Sequence, residues 1–201
     1  MNFPSSLIKN AVEAISSFPG IGKKTALRLA IYLLRNKKQA YNISDSIKKM
    51  IEETKYCNNC YNISKQNLCE ICDSEKRNKH TICIVEDIRD IIAIENTMQY
   101  DGHYHVLGGL ISPIDGIGPN ELNIDSLIKK IANKNIEEII FALCASMEGE
   151  TTSYYIYKKI SPFKISITTI SKGISIGNEL EYTDQITLGR ALINRYSFEK
   201  T

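Results

Sequence analysis

Residues 57–72 read Cys57-Asn-Asn-Cys60-Tyr-Asn-Ile-Ser-Lys-Gln-Asn-Leu-Cys69-Glu-Ile-Cys72, a C-x2-C-x8-C-x2-C pattern. Each C-x2-C pair turns tightly enough to aim two sulfurs at one metal. The eight-residue loop between them brings the second pair round to close a tetrahedron. Four thiolates with no open position make a structural zinc site, one Zn2+ held by Cys57, Cys60, Cys69 and Cys72. An iron–sulfur cluster also takes four cysteines, but two paired turns of this sort are typical of zinc ribbons and knuckles. The segment has too few apolar residues to hold a core alone, so metal binding would supply its folding energy. His80 is close in sequence, but four cysteines already satisfy zinc.

On the amino-terminal side the pattern is helical. Leu7, Ile8, Ala11, Val12 and Ile15 recur at helical spacing and predict a helix over Ser6–Ser17. Phe18-Pro-Gly-Ile-Gly22 ends it, because Pro and Gly break helices. A second helix is expected from Lys23 to Asn36 with Leu27, Ala30, Leu33 and Leu34 inward. A third is expected from Ser44, its N-cap, to Tyr56 with Ile47, Met50 and Ile51 inward.

On the carboxyl-terminal side strands alternate with helices. Strands are expected at Thr81–Val85, His103–Leu107, Glu138–Leu143 and Lys164–Ile170. Helices are expected at Asp87–Asn96, Asp125–Asn133 and Gly149–Ile160, with a long Gly/Pro loop from Gly108 to Asn123 and a short tail helix from Thr187 to Tyr196. This alternation implies a mostly parallel sheet covered on both faces. Cys83, inside an expected strand, and Cys144, at the end of one, read as buried small hydrophobes.

The composition, 43% hydrophobic and 24% charged, is that of a globular chain. No apolar run is long enough for a membrane span, and the amino terminus lacks the pattern of a secretory signal. A cytoplasmic location is expected, with thiols and metal rather than disulfides. The net charge of +2 hides an asymmetry. Residues 1–60 carry ten Lys or Arg against four acids, whereas residues 81–125 carry Arg89 alone against eight acids. One end is suited to an anion and the other to a cation or a basic partner.

The basic end has a specific device. In Phe18-Pro-Gly-Ile-Gly-Lys-Lys-Thr-Ala26, Gly20 and Gly22 allow a turn that points backbone N–H groups outward at the start of a helix, where the dipole favours negative charge. Lys23, Lys24 and Arg28 add cations beside it. A backbone phosphate of DNA fits that arrangement without any base being read. The spacing is wrong for a nucleotide-binding P-loop. In the acidic half, Glu86 follows the first strand and Glu148 and Glu150 follow a later one. Acids at the carboxyl ends of parallel strands face the usual ligand crevice, where they could hold Mg2+.

The hairpin resembles the helix-hairpin-helix motif of DNA-binding proteins, and the acidic layout resembles the Toprim domain of topoisomerases and primases. That domain places a Glu after its first strand and Asp-x-Asp after a later one; Glu148-Gly-Glu150 stands near the second position. Taken in order, Phe18-Pro-Gly-Ile-Gly22, the four cysteines, Leu107-Gly-Gly-Leu-Ile-Ser-Pro-Ile-Asp-Gly-Ile-Gly-Pro119, Met147-Glu-Gly-Glu150 and Gly177-Asn-Glu-Leu-Glu-Tyr182 resemble the RecR family of recombination mediators. The resemblance implies a helix-hairpin-helix domain at 1–56, a four-cysteine zinc finger at 57–72, a Toprim domain at 80–175 and a carboxyl-terminal arm at 176–201. The arm holds a Walker-B-like stretch, Glu179-Leu-Glu-Tyr-Thr-Asp184, that does not hydrolyse nucleotide. It further implies a non-enzymatic DNA clamp, a homotetrameric ring, that acts with RecO and RecF to load recombinase on single-stranded DNA in repair. Lys23, Lys24, Arg28, Gly20 and Gly22 would meet DNA, and Glu86 and Glu148 a partner such as RecO. A Mg2+-dependent Toprim enzyme of nickase or primase type is the alternative. The zinc, lying between the basic and acidic parts, is expected to be structural and not to touch DNA.

Overall fold

The computed structural model describes residues 3, 5–133, 135–174, 177 and 179–195. The chain forms two compact units, Met1–Thr54 and Lys55–Thr201. No helix among the described residues is long and apolar enough to cross a membrane.

The first unit is helical. Helix α1 (Ser6–Ser16) starts on Ser5, whose side chain accepts from the Leu7 N–H, and α2 spans Lys23–Arg35. Val12, Ala26 and Ala30 are the buried centre where these two helices meet, with Ile8, Ala11, Ile15, Ile21 and Leu27 around them. Two alanines on α2 let the helix backbones approach closely. Two residues expected inward are not: Leu7 is 79% exposed and Leu34 58%.

Helix α3 runs Lys37–Glu53, starting seven residues before the expected Ser44. Nothing between Asn36 and Ser44 breaks a helix, so a cap-forming serine in its interior has no end to cap. None of α3 is buried. Ile47, Met50 and Ile51 form an apolar row, but they are exposed because no other element of the described unit covers them.

The second unit opens with a two-stranded hairpin, β1 (Lys55–Tyr56) and β2 (Ile63–Ser64), and the short helix α4 (Glu70–Asp73). A four-stranded parallel sheet follows, ordered β4-β3-β5-β6 from β3 (Asn78–Val85), β4 (Gly102–Val106), β5 (Glu138–Ala142) and β6 (Ser166–Thr169). Pairing aligns Val85 with both Val106 and Ala142, and Ile139 with Ile167. Helices α5 (Ile88–Glu95), α6 (Ile124–Asn133) and α7 (Met147–Ile160) connect the strands.

The continuous apolar run of β3 serves two cores, because successive side chains point to opposite faces. Ile82 and Ile84 join Leu127, Ile131, Ile156 and Ile160 from α6 and α7. Cys83 and Val85 join Ile91, Tyr104 and Val106 on the other face. Cys83 is therefore a packed core residue, as expected. Cys144 is not: β5 ends at Ala142, and Cys144 is exposed in the turn leading to α7. There α7 enters so closely that a Cβ on Gly149 would lie 2.1 Å from the Cys144 carbonyl oxygen. Helix α8 (Gln185–Ile193) is capped by Asp184, and Tyr196 of the expected tail helix lies outside the described residues.

Candidate zinc centre and nucleic-acid interface

The four expected ligands converge. Their sulfurs lie within 4.8 Å of one another, and Cys60 and Cys69 approach to 3.5 Å. Sulfurs about 2.3 Å from a tetrahedral zinc stand about 3.8 Å apart, so the donor set fits the ion. Cys57, Cys60 and Cys69 are buried and Cys72 is partly so. Hydrogen bonding from Cys69 and Cys72, together with burial, pushes the Cys60 thiol up. Such crowding favours a divalent cation over four free thiols.

Local hydrogen bonds shape the first turn. Tyr61 N–H donates to the Cys57 carbonyl at 2.9 Å and Cys57 N–H to the Asn62 carbonyl at 2.8 Å, with Tyr61 in the left-handed region. The Asn59 side-chain amide donates to Cys72 Sγ at 3.2 Å. This turn covers the free edge of the sheet: Val106 N–H, on the side of β4 away from β3, donates to the Cys60 carbonyl at 2.8 Å. Tyr61 and Ile71 pack on the core of that face. The zinc module is thus part of the sheet unit and protects an edge that would otherwise be open to foreign strands.

Under the module lies a buried imidazole that no sequence pattern marks. His105 Nε2 donates to the Asn123 carbonyl at 2.8 Å, Nδ1 accepts from Lys130 Nζ at 3.1 Å, and the ring meets Tyr61 edge-on. Burial, reinforced by the Lys130 charge, pushes its pKa down to about 3. The folded state refuses a proton that the unfolded chain accepts near pH 6.5, so this group costs stability as pH falls below that value. In His105→Gln the decline in unfolding free energy between pH 6.5 and 5 should be shallower by up to about 1.4 kcal/mol per pH unit. Chemical denaturation of the two zinc-loaded proteins at each pH checks this.

In the helical unit, Gly20 has φ +79°, a conformation that favours glycine, and Gly22 is the N-cap of α2. Gly22 makes no side-chain cap, and the first turn of α2 has no acid. Lys23, Lys24 and Arg28 are all exposed beside this end. The arrangement offers backbone N–H groups and three cations to an anion.

The acids at the carboxyl ends of the strands are placed less uniformly. Burial and the charges of Asp90 and Asp87 push the Glu86 carboxyl up. Asp87 and Asp90 form the capping box of α5. Glu148 sits in the first turn of α7, where backbone and Ser146 hydrogen bonds pull its carboxyl down. Glu150 is engaged by Lys172 and Arg190, each at 2.9 Å, which pull it down in turn and tie α8 to α7. Glu86, Glu148 and Glu150 are not gathered into one close group of ligands. Among the described residues, the four cysteines are the group of three or more candidate ligands that comes together.

Comparison with known proteins agrees with the parts in order. Residues 8–51 match the RecR helix-hairpin-helix model, 54–74 the RecR four-cysteine zinc finger, 80–171 the Toprim domain and 173–196 the RecR carboxyl-terminal region. The chain is 56% identical to the recombination protein RecR of Flavobacterium johnsoniae, over 100% of this chain and 98% of the relative. It is 52% identical to that of Cytophaga hutchinsonii over 99% and 98%, and 48% identical to that of Bacteroides fragilis over 99% and 98%. With a zinc finger whose four thiols are gathered for one structural ion, and relatives matched end to end, this chain belongs to the RecR family of recombination proteins.

Proposed function

We propose that the protein is a non-enzymatic DNA-binding mediator of recombinational repair, which acts in the cytoplasm with RecO and RecF to load recombinase on single-stranded DNA. The observation that carries this is the open start of α2. Gly20 and Gly22 present its N–H groups, and Lys23, Lys24 and Arg28 surround them without an acid in the first turn. In this reading those five residues contact DNA phosphates, and the zinc holds the sheet edge without touching DNA.

The proposed division is a helix-hairpin-helix domain at 1–56, a zinc finger at 57–72, a Toprim domain at 80–175 and an arm at 176–201. Residues 134, 175, 176, 178 and 196–201 of the last two lie outside the described residues. The acidic edge with Glu86 and Glu148 is the proposed dock for a basic partner such as RecO. Glu150, engaged by Lys172 and Arg190, supports a role other than metal catalysis. A homotetrameric ring is supported by the bare apolar rows on α2 and α3, including Ile31, Leu34, Ile47, Met50 and Ile51. Contiguous exposed apolar surface of this kind marks interaction sites.

The test is DNA binding across a salt series, with native mass and a turnover assay in Mg2+ or Mn2+. Expected are binding that weakens steeply with salt, a mass of four chains and no altered DNA product. Metal-dependent turnover abolished by Glu86→Ala would establish the Toprim enzyme instead.

A further inference from the structure

A side chain of α6 reaches the zinc module from some seventy positions further along the chain. Lys130 is half-buried, and its ammonium points back beneath the module. There it donates to the carbonyl of Asn59, inside the Cys57–Cys60 turn, and to His105 Nδ1 at 3.1 Å. Asn59 is held at both ends. Its carbonyl accepts a hydrogen bond from the Lys130 ammonium, and its side-chain amide donates to Cys72 Sγ at 3.2 Å. One residue later, the Cys60 carbonyl accepts from Val106 N–H. The two C-x2-C pairs are therefore joined through Asn59, and Asn59 is joined to the α/β sheet through Lys130.

We propose that Lys130 is a positioning residue for the zinc centre, and that zinc retention is set partly from α6. By gripping the Asn59 carbonyl it holds the first ligand turn against β4 and keeps the Asn59 amide aimed at Cys72. Charge adds to geometry. Zinc with four thiolates is a doubly negative centre in a buried setting, and it is stabilised by hydrogen-bond donors and nearby cations. Lys130 supplies a cation whose position is fixed by His105, itself fixed by Asn123. A lysine meant only to solvate the surface would not be half-buried with its ammonium bound to a main-chain carbonyl and an imidazole nitrogen.

The test is zinc release from the full-length protein to a chromogenic chelator at neutral pH, read beside thermal melting. Outer hydrogen-bond partners of metal ligands typically change metal affinity about 10–100-fold, so Lys130→Met should release zinc about tenfold faster or more. Lys130→Arg, which keeps charge and donors, should stay close to the unaltered protein. Ile139→Val takes a methyl from the sheet core without touching the module, and serves as the comparison for general loss of stability. Should the methionine variant not fold, Lys130→Gln, which drops the charge but keeps a donor, is read in the same way. The inference is overturned if zinc leaves the Lys130 variant no faster than the unaltered protein. It is also overturned if Ile139→Val speeds release as much at a comparable fall in melting temperature.

Discussion

Stripping zinc with a chelator, or replacing Cys57 with Ser, should lower the melting temperature of the Lys55–Thr201 unit by about 10 °C or more, in a single transition with loss of the metal module. The size follows from what the ion holds. Structural zinc supplies about 10–16 kcal/mol of apparent binding energy in small Cys-rich modules, comparable with the whole stability of a domain. The segment from Cys57 to Cys72 has little else: its buried cluster is Cys57, Cys60 and Cys69, with Ile71 and Cys72 packed against it. Once the turn opens, Val106 N–H loses the Cys60 carbonyl, Lys130 loses Asn59, and Tyr61 and Ile71 leave the face of the sheet. The damage should therefore pass into β4. Circular dichroism melts with and without chelator, with zinc stoichiometry measured in parallel, check the result. A sheet that melts at an unchanged temperature after the zinc is gone would show the module to be energetically separate.

That coupling sharpens what the cysteine spacing can give. C-x2-C-x8-C-x2-C is enough to name the ligands and the geometry, because chelate turns are local in sequence. It suggests a spacer between a basic and an acidic part. Where the module docks depends on Val106, which pairs with Cys60, and on Lys130, which pairs with Asn59 and is held by His105; the two pairings span 46 and 71 positions and leave no local pattern. The same division runs through the fold. Helices α1 and α2 and the run of β3 are legible from periodicity, since each buries a stripe or both faces. The hairpin of β1 and β2 is not, because two-residue strands carry no period. Ile47, Met50 and Ile51 read as inward for a sound physical reason, an apolar row at helical spacing, but periodicity says which face is apolar and not whether this chain covers it. Glu86, Glu148 and Glu150 read as a set from strand ends alone. The structure separates their surroundings, since Glu150 alone of the three pairs with Lys172 and Arg190, partners distant in sequence.

The second large effect is expected at the hairpin. In a Lys23→Ala, Lys24→Ala, Arg28→Ala protein, affinity for DNA of any sequence should fall about 100-fold at moderate salt, and the dependence on salt should flatten. Each phosphate contact removed reduces the log–log slope by about 0.9 on duplex or 0.7 on single strands, so three lost contacts flatten it by about 2–3. The fold should survive. All three side chains are exposed on α2, Ala is at least as good a helix former as Lys or Arg, and the core of this unit is built from Val12, Ala26 and Ala30 instead. Contact with phosphates and not bases, as proposed, makes the loss equal for unrelated sequences. Fluorescence anisotropy with two unrelated oligonucleotides, single- and double-stranded, across a salt series measures both the affinity and the slope. The slope is the decisive quantity: a protein damaged elsewhere loses affinity at every salt concentration with its slope intact, whereas loss of cations from the open end of α2 flattens the salt dependence itself. An unchanged slope in the triple variant would move the DNA contact away from this hairpin.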